Sequence, residues 1–147
     1  MNEETRPEPE FSVFDPQRFL GLDEMGLRVL SWRRLGRPDG PGLRQIRCEP
    51  DSHDARWCPS CGAYARVRSS WLRTLAHVPY GDDAVHLLVR VRRYECVPCS
   101  RSWSDDPEAV GAGRGVLSVP AVMWALRRVC LDSMTVSACA RLLHVAW

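Results

Sequence analysis

Four of the seven cysteines fall in two Cys-x-x-Cys pairs, Cys58/Cys61 and Cys96/Cys99. Two intervening residues let both thiolates of a pair reach one ion, and four thiolates suit zinc, which is borderline-soft and accepts tetrahedral geometry. The pattern therefore predicts one structural zinc held by Cys58, Cys61, Cys96 and Cys99. Thirty-four residues, 62–95, separate the pairs, against roughly 15 to 20 in the common ribbon spacing, so an insertion stands between them. A redox dithiol is the rival chemistry, but it needs βαβ surroundings that neither pair has. His53 and His77 lack paired spacing and read as surface or loop histidines. Cys48, Cys130 and Cys139 fall on apolar faces and read as buried spectators.

Positioning two distant pairs at one ion requires strands that bring them together. Residues 84–94 alternate Val85, Leu87, Val89 and Val91 with His86, Leu88, Arg90 and Arg92, the period of a half-buried strand, and this strand leads directly into Cys96. Residues 63–69 after the first pair form a second strand. Gly62 is the residue type that turns the chain past a knuckle, since it takes positive φ without a Cβ clash. Residues 79–83, Pro-Tyr-Gly-Asp-Asp, supply the turn between two antiparallel arms. Upstream, residues 27–32 and 43–48 flank a Gly/Pro-rich cluster and predict a loose hairpin, with Phe11, Val13, Phe14, Phe19, Leu20 and Leu22 able to cap a small core. Downstream the period changes to three and four. Val119, Val122, Met123, Leu126, Val129 and Cys130 predict a helix with Ser118 as N-cap and Pro120 in its first turn. A second helix starts from Thr135, with Val136, Cys139, Ala140 and Leu143 on one face.

The organisation expected is a disordered acidic tail at 1–10, a hairpin region at 11–55, a zinc-ribbon-like domain at 56–103, a linker at 104–117 and helices at 118–147. The fold class is α+β: a small antiparallel zinc-ribbon-like module followed by a short helical segment. The 147 residues leave room for little else. No run of about 18 apolar residues exists to span a bilayer, and the first residues lack a secretory signal. The expectation is a cytoplasmic, nucleoid-associated protein with no membrane and no small-molecule substrate. All 20 basic side chains counted as Lys or Arg are Arg, which points to a GC-rich bacterial genome. The charge is uneven: residues 56–101 hold eight Arg against three acids, whereas residues 1–55 hold eight against eleven. Arg66, Arg68, Arg73, Arg90, Arg92 and Arg93 lie on the two arms that approach the cysteines and are the candidate phosphate contacts.

The run of Cys58-Pro59-Ser60-Cys61-Gly62, residues 67–75 (VRSSWLRTL), Val78-Pro79-Tyr80-Gly81, residues 89–94 (VRVRRY) and Cys96-Val97-Pro98-Cys99 resembles the zinc-binding domain of ISL-three-type insertion-sequence transposases. The resemblance covers residues 56–147. It implies a helix-turn-helix after the zinc domain, of which residues 118–143 look like the opening part, and double-stranded DNA at transposon ends as partner, with self-association open. Two departures qualify it. Residues 142–147 resemble the turn before a recognition helix, and that helix does not follow. The catalytic carboxylates of the family, carried on a later domain, match no position here, so no residue is assigned catalysis. Asp82-Asp83 reads as a turn and Asp105-Asp106 as linker or cap. The chain is thus expected to be the DNA-recognition portion of such a transposase, a truncated product without the two-metal carboxylate scaffold that phosphoryl transfer needs. The alternative is a stand-alone zinc-ribbon adaptor that contacts proteins through Trp71, Trp103 and Trp147.

Overall fold

Residues 15–51, 53–107, 110–111 and 114–146 are described by the structure, a computed structural model. The expected tail at 1–10, the apolar positions Phe11, Val13 and Phe14, and Trp147 lie outside the described residues.

Strands β1 (Leu27–Leu35) and β2 (Leu43–Pro50) form the antiparallel hairpin across the Gly/Pro-rich loop. β3 (Arg66–Tyr80) and β4 (Asp83–Glu95) form a second, longer one. β3 runs eleven residues past the strand expected at 63–69, because its partner β4 offers a ladder from Glu95 back to Asp83, interrupted by irregularities at Val67/Ser69 and His77/Tyr80. β5 (Ser102–Ser104) pairs with the end of β4. The strand order is β1-β2-β4-β3, and the α+β class holds. One pairing is parallel: β2 lies beside β4, from Leu43 opposite Ala84 to Cys48 opposite Val89. Parallel neighbours need a crossover, here the knuckle and the whole of β3. The pairing aligns Ile46 and Cys48 with Leu87 and Val89 in one apolar file.

That file is the core. Val85, Leu87, Val89 and Val91 pack with Leu27, Ile46, Cys48 and Leu75, covered by Leu20 and Leu22 beyond the short helix α1 (Pro16–Phe19). Each such side chain contributes about 1.5–3 kcal/mol when fully buried. Phe19 departs from expectation: it is exposed and meets only the edge of Tyr80. The described residues of the expected linker at 104–117 are fastened to the sheet. Val110 is fully buried in this core, Asp105 accepts from the Arg92 amide and the Tyr94 hydroxyl, and Leu117 bridges Ala76. Their Asp/Pro/Gly composition reads as loop, but Asp105 and Asp106 have partners on the sheet that composition does not reveal. The hairpin of β1 and β2 likewise shares its core with β3 and β4, so no separate core begins at residue 56.

The helices α2 (Val119–Asp132) and α3 (Val136–Leu143) start at the expected caps, Ser118 accepting from the Ala121 amide and Thr135 from the Ala138 amide. They dock on the opposite sheet face, where Ala121 and Leu143 meet Ala76 with Trp124, Ala125 and Val145 around them. The apolar stripe of α2 faces outward instead: Val119, Val122, Met123, Leu126 and Val129 are exposed, as is Cys130, which is therefore no buried spectator. Cys48 and Cys139 are buried, and burial, helped by the charge of Glu49, pushes the Cys48 thiol up to about 12.

His77 is not a surface histidine. It is buried in β3, with Nδ1 2.7 Å from the Ser118 hydroxyl and Nε2 2.9 Å from the Leu20 carbonyl. A carbonyl only accepts, so Nε2 carries the proton and Nδ1 accepts from Ser118. Burial lowers the imidazole pKa, against the pull of the Leu20 carbonyl, and the neutral ring ties the N-terminal segment and the start of α2 to the sheet. Among the described residues no helix is long and apolar enough to cross a membrane.

Candidate metal centre

The 34-residue interval between the cysteine pairs is occupied by one hairpin. β3 leaves the first pair and β4 returns to the second, and the register Arg66 opposite Glu95 sets both pairs at the open end. For an antiparallel excursion of this kind the number of residues in the arms is immaterial, because the ends meet whatever the length.

Each pair is a knuckle of the same construction. Trp57 bridges Tyr64 around Cys58 and Cys61, and Glu95 pairs with Ser102 around Cys96 and Cys99. The Cys58 amide donates to the Ala63 carbonyl at 2.9 Å and the Cys96 amide to the Arg101 carbonyl at 2.8 Å. The Gly62 amide returns to the Cys58 carbonyl and the Ser100 amide to the Cys96 carbonyl. Both returning residues hold positive φ, +73° at Gly62 and +59° at Ser100. The first was anticipated. At the second, a side chain occupies a conformation that costs an L-residue about 1–2 kcal/mol. Replacing Ser100 by Gly should therefore raise stability by about 1 kcal/mol, since glycine's greater unfolded-state entropy offsets part of the relief. Gly62→Ala should lower it by about the same amount, through conformation alone because a Cβ there meets nothing within 4 Å. Urea unfolding of the zinc-loaded protein measures both, and the two shifts should have opposite signs.

The four sulfurs converge. All lie within 4.8 Å of one another, with Cys58 Sγ 3.6 Å from Cys99 Sγ and Cys61 Sγ 3.4 Å from Cys96 Sγ. Tetrahedral zinc with Zn–S near 2.3 Å separates its sulfurs by about 3.8 Å, so the cluster has the right size. Each knuckle contributes one buried and one exposed thiol, Cys58 and Cys96 inside, Cys61 and Cys99 outside. The electrostatics agree. At Cys58 burial opposes ionisation, but the Cys61 and Ser60 amides and the Cys99 and Cys61 thiols outweigh it and bring the thiol down to about 6. At Cys96 the Cys99 amide favours the thiolate, yet burial and the surrounding thiols push it up to about 12. The cluster thus yields one negative charge readily and resists others, the situation a bound dication reverses. The donor set and geometry fit one structural zinc ion held by Cys58, Cys61, Cys96 and Cys99.

Side chains that the spacing could not announce fix the knuckles to each other. Arg101 donates to the Ser60 hydroxyl, and Trp103 donates its indole N–H to the Ala55 carbonyl at 2.7 Å while stacking on Tyr94 at 5.9 Å. Trp103 is therefore half-buried structure rather than a free anchor, whereas Trp71 is exposed. His53 lies exposed in a short 3₁₀ turn, and neither it nor His77 belongs to the sulfur cluster.

The six candidate phosphate-contacting arginines divide. Arg73 is committed internally, pairing with Asp106 at 2.7 Å and donating to the Gly111 carbonyl, its side chain only 12% exposed. Arg92 pairs with buried Glu49 at 2.6 Å, alongside Arg28. These two are structural, because carboxylates 33 and 43 residues away fold against them. Arg66 and Arg68 are exposed but lean on Glu95, at 2.7 and 3.9 Å. Arg90 and Arg93 are exposed, and no ion pair engages them among the described residues.

Residues 54–99 match a protein family described as the zinc-finger of transposase IS204/IS1001/IS1096/IS1165. The matched stretch begins just before the first knuckle and ends on Cys99, enclosing all four ligands and the hairpin between them. This region is therefore similar to a transposase zinc ribbon. Neither a curated protein nor a solved structure matches the chain.

Proposed function

Taking residues 54–99 as a transposase zinc ribbon, we propose that the chain binds double-stranded DNA as the end-recognition portion of an insertion-sequence transposase of the ISL-three type. The observation that carries this reading is the family match across the metal centre, supported by the excess of arginine over acid in residues 56–101. In this reading the protein is not itself the catalyst. Zinc supplies rigidity: it locks two knuckles and the roots of β3 and β4 into one body, so that the sheet is presented with fixed shape and little ordering cost on binding. α2 and α3, joined through the left-handed cap Ser133 and the N-cap Thr135, are the first two helices of a helix-turn-helix.

Salt tests the reading. Binding to duplex DNA should weaken steeply as salt rises, with a log–log slope of about −0.9 per neutralised phosphate. A protein adaptor, anchored by apolar contacts such as exposed Trp71, would show no such dependence and no affinity for the duplex. Fluorescence anisotropy with a labelled duplex over roughly 50 to 200 mM salt separates the two. A flat response means that the adaptor reading holds.

A further inference from the structure

One face of the sheet is only partly covered. Toward the hairpin turn, α2 and α3 lie over Ala76 and His86, whose imidazole is 3.1 Å from the Leu143 carbonyl. Toward the zinc, Glu49 is held between Arg28 and Arg92. Between these two zones the face is open, with two shallow depressions of about 380 and 370 Å³ bordered by Arg33, Arg47, Leu88 and Arg90, with Trp71 at the first and Trp32 at the second.

The charges on this open zone follow a line. Arg33 on β1 stands opposite Gln45. Arg47 is two residues further along β2, level with Leu88. Arg90 is two further along β4, opposite Leu72. Strands about 4.8 Å apart with about 3.3 Å rise per residue put successive members of this diagonal about 8 Å apart. All three side chains are exposed. Arg33 donates to the Gln45 amide oxygen, a neutral group, and among the described residues no ion pair involves any of the three. The one acid in register on the face, Glu49, is already shared by two arginines. Arg33 and Arg47 also lie outside the matched residues 54–99.

We propose that the diagonal of Arg33, Arg47 and Arg90 is the surface on which this chain holds a duplex DNA backbone; the inference rests on the DNA-binding reading above. Charge complementarity selects a polyanion, since a strand presents a phosphate every ~3.4 Å of helix axis to a line of three guanidiniums that no carboxylate among the described residues neutralises. The duplex is favoured over a single strand because single-strand grooves rely on aromatic platforms for the bases. Trp32 and Trp71 border the depressions, but they stand in register with core-facing Ile46 and Val91, one residue out of phase with the arginines.

The test is the salt slope of the full chain on a fluorescein-labelled duplex of arbitrary sequence, since phosphate contacts carry no sequence information. Replacing Arg47 and Arg90 together by Gln should reduce the magnitude of the log–log slope by about 2, close to 0.9 per lost contact. Replacing both by Lys should restore most of it. Gln at Arg66 and Arg68, which already face Glu95, should leave the slope unchanged. Zinc content and the thermal midpoint report whether each variant is folded, and the single Arg47→Gln and Arg90→Gln variants, each expected to lose about 0.9 of slope, serve if the Gln pair is not. A wild-type chain that binds the duplex with a steep slope which the Gln pair retains overturns the inference and leaves the DNA-binding reading standing. A wild-type chain that ignores the duplex removes that reading and this one with it. Loss of slope on a single-stranded oligonucleotide but not on the duplex would overturn the choice of occupant.

Discussion

Chelation of the purified protein should release one zinc per chain and lower its stability by about 4 kcal/mol relative to the zinc-saturated form, the shift that mass action gives for a ligand at a thousand times its Kd. The argument rests on what holds the knuckles in the metal's absence. Apart from the sulfurs, their order depends on short-range backbone hydrogen bonds, the Trp57–Tyr64 bridge, the three-residue pairing of β5 with β4, and the Arg101–Ser60 and Trp103–Ala55 contacts. Against these stands the tendency of clustered thiols to resist sharing negative charge, seen in Cys96 at about 12. The core of β1, β2, β3 and β4 lies away from the site and does not include any of the four ligands. The apoprotein should therefore lose protection at residues 57–64 and 95–104 first, while the amides of Val85, Leu87 and Val89 stay slow to exchange. Cys96→Ser should reproduce the effect without chelator, because a buried hydroxyl replaces the thiolate of a buried ligand. Metal analysis with hydrogen exchange on both forms checks this. Retention of full stability after zinc removal would mean that the sulfur cluster is incidental.

The metal centre was legible because its chemistry is local: two Cys-x-x-Cys pairs and a glycine after the first. The alternation of β4 was equally plain, as were the caps of α2 and α3, where Ser118 and Thr135 each accept the amide three residues on. Three kinds of feature were not. The parallel pairing of β2 with β4 left no mark, since a strand's alternation shows which residues are inward but not which neighbour lies beside it. The fate of individual charges was hidden, because Arg73 and Arg92 look the same in sequence as Arg90 and Arg93, and their partners Asp106 and Glu49 are remote. The stripe of α2 established a helix but not its docking side: small Ala121 and Ala125 approach the sheet while Val122, Met123 and Leu126 face out. Buried His77 was missed for a related reason, as its two partners come from residues 57 and 41 positions away.

Asp83 is the residue whose importance the turn reading concealed, and its replacement by Ala should cost about 3–5 kcal/mol, the range for removing one partner of a buried ion pair. It opens β4 one residue past the Gly81-Asp82 turn and is buried. One carboxylate oxygen accepts from Arg34 Nε and Arg44 Nε, both at 2.8 Å, and the other from Arg34 Nη2 at 3.0 Å and the Gly42 amide at 2.8 Å. Arg34 goes on to the Arg37 and Gly40 carbonyls, and Arg44 lies over the Tyr80 ring at 5.0 Å. One carboxylate therefore joins the 36–42 loop, both strands of the first hairpin and the turn of the second. Gly42 belongs to the same device, since a Cβ there would come within 2.5 Å of the Leu35 carbonyl oxygen. The Asp83 pKa is lowered chiefly by the Arg34 hydrogen bond; burial opposes, and the Gly42 amide and the charges of Arg34 and Arg44 add to the depression. A carboxylate whose folded pKa lies below its unfolded value, about 3.9, binds fewer protons in the folded state. Its stabilisation is complete above that unfolded value and is lost as pH falls through the folded pKa. The difference in unfolding free energy between the wild type and Asp83→Asn should accordingly be flat from neutral pH down to about pH 4 and shrink below it. Asn keeps an acceptor for the Gly42 amide but leaves two guanidiniums uncompensated, so its cost at neutral pH should be smaller than that of Ala. Should Asp83→Ala unfold at the wild-type urea midpoint, the carboxylate would be an ornament of the turn and the sheet would owe its closure to the apolar file alone.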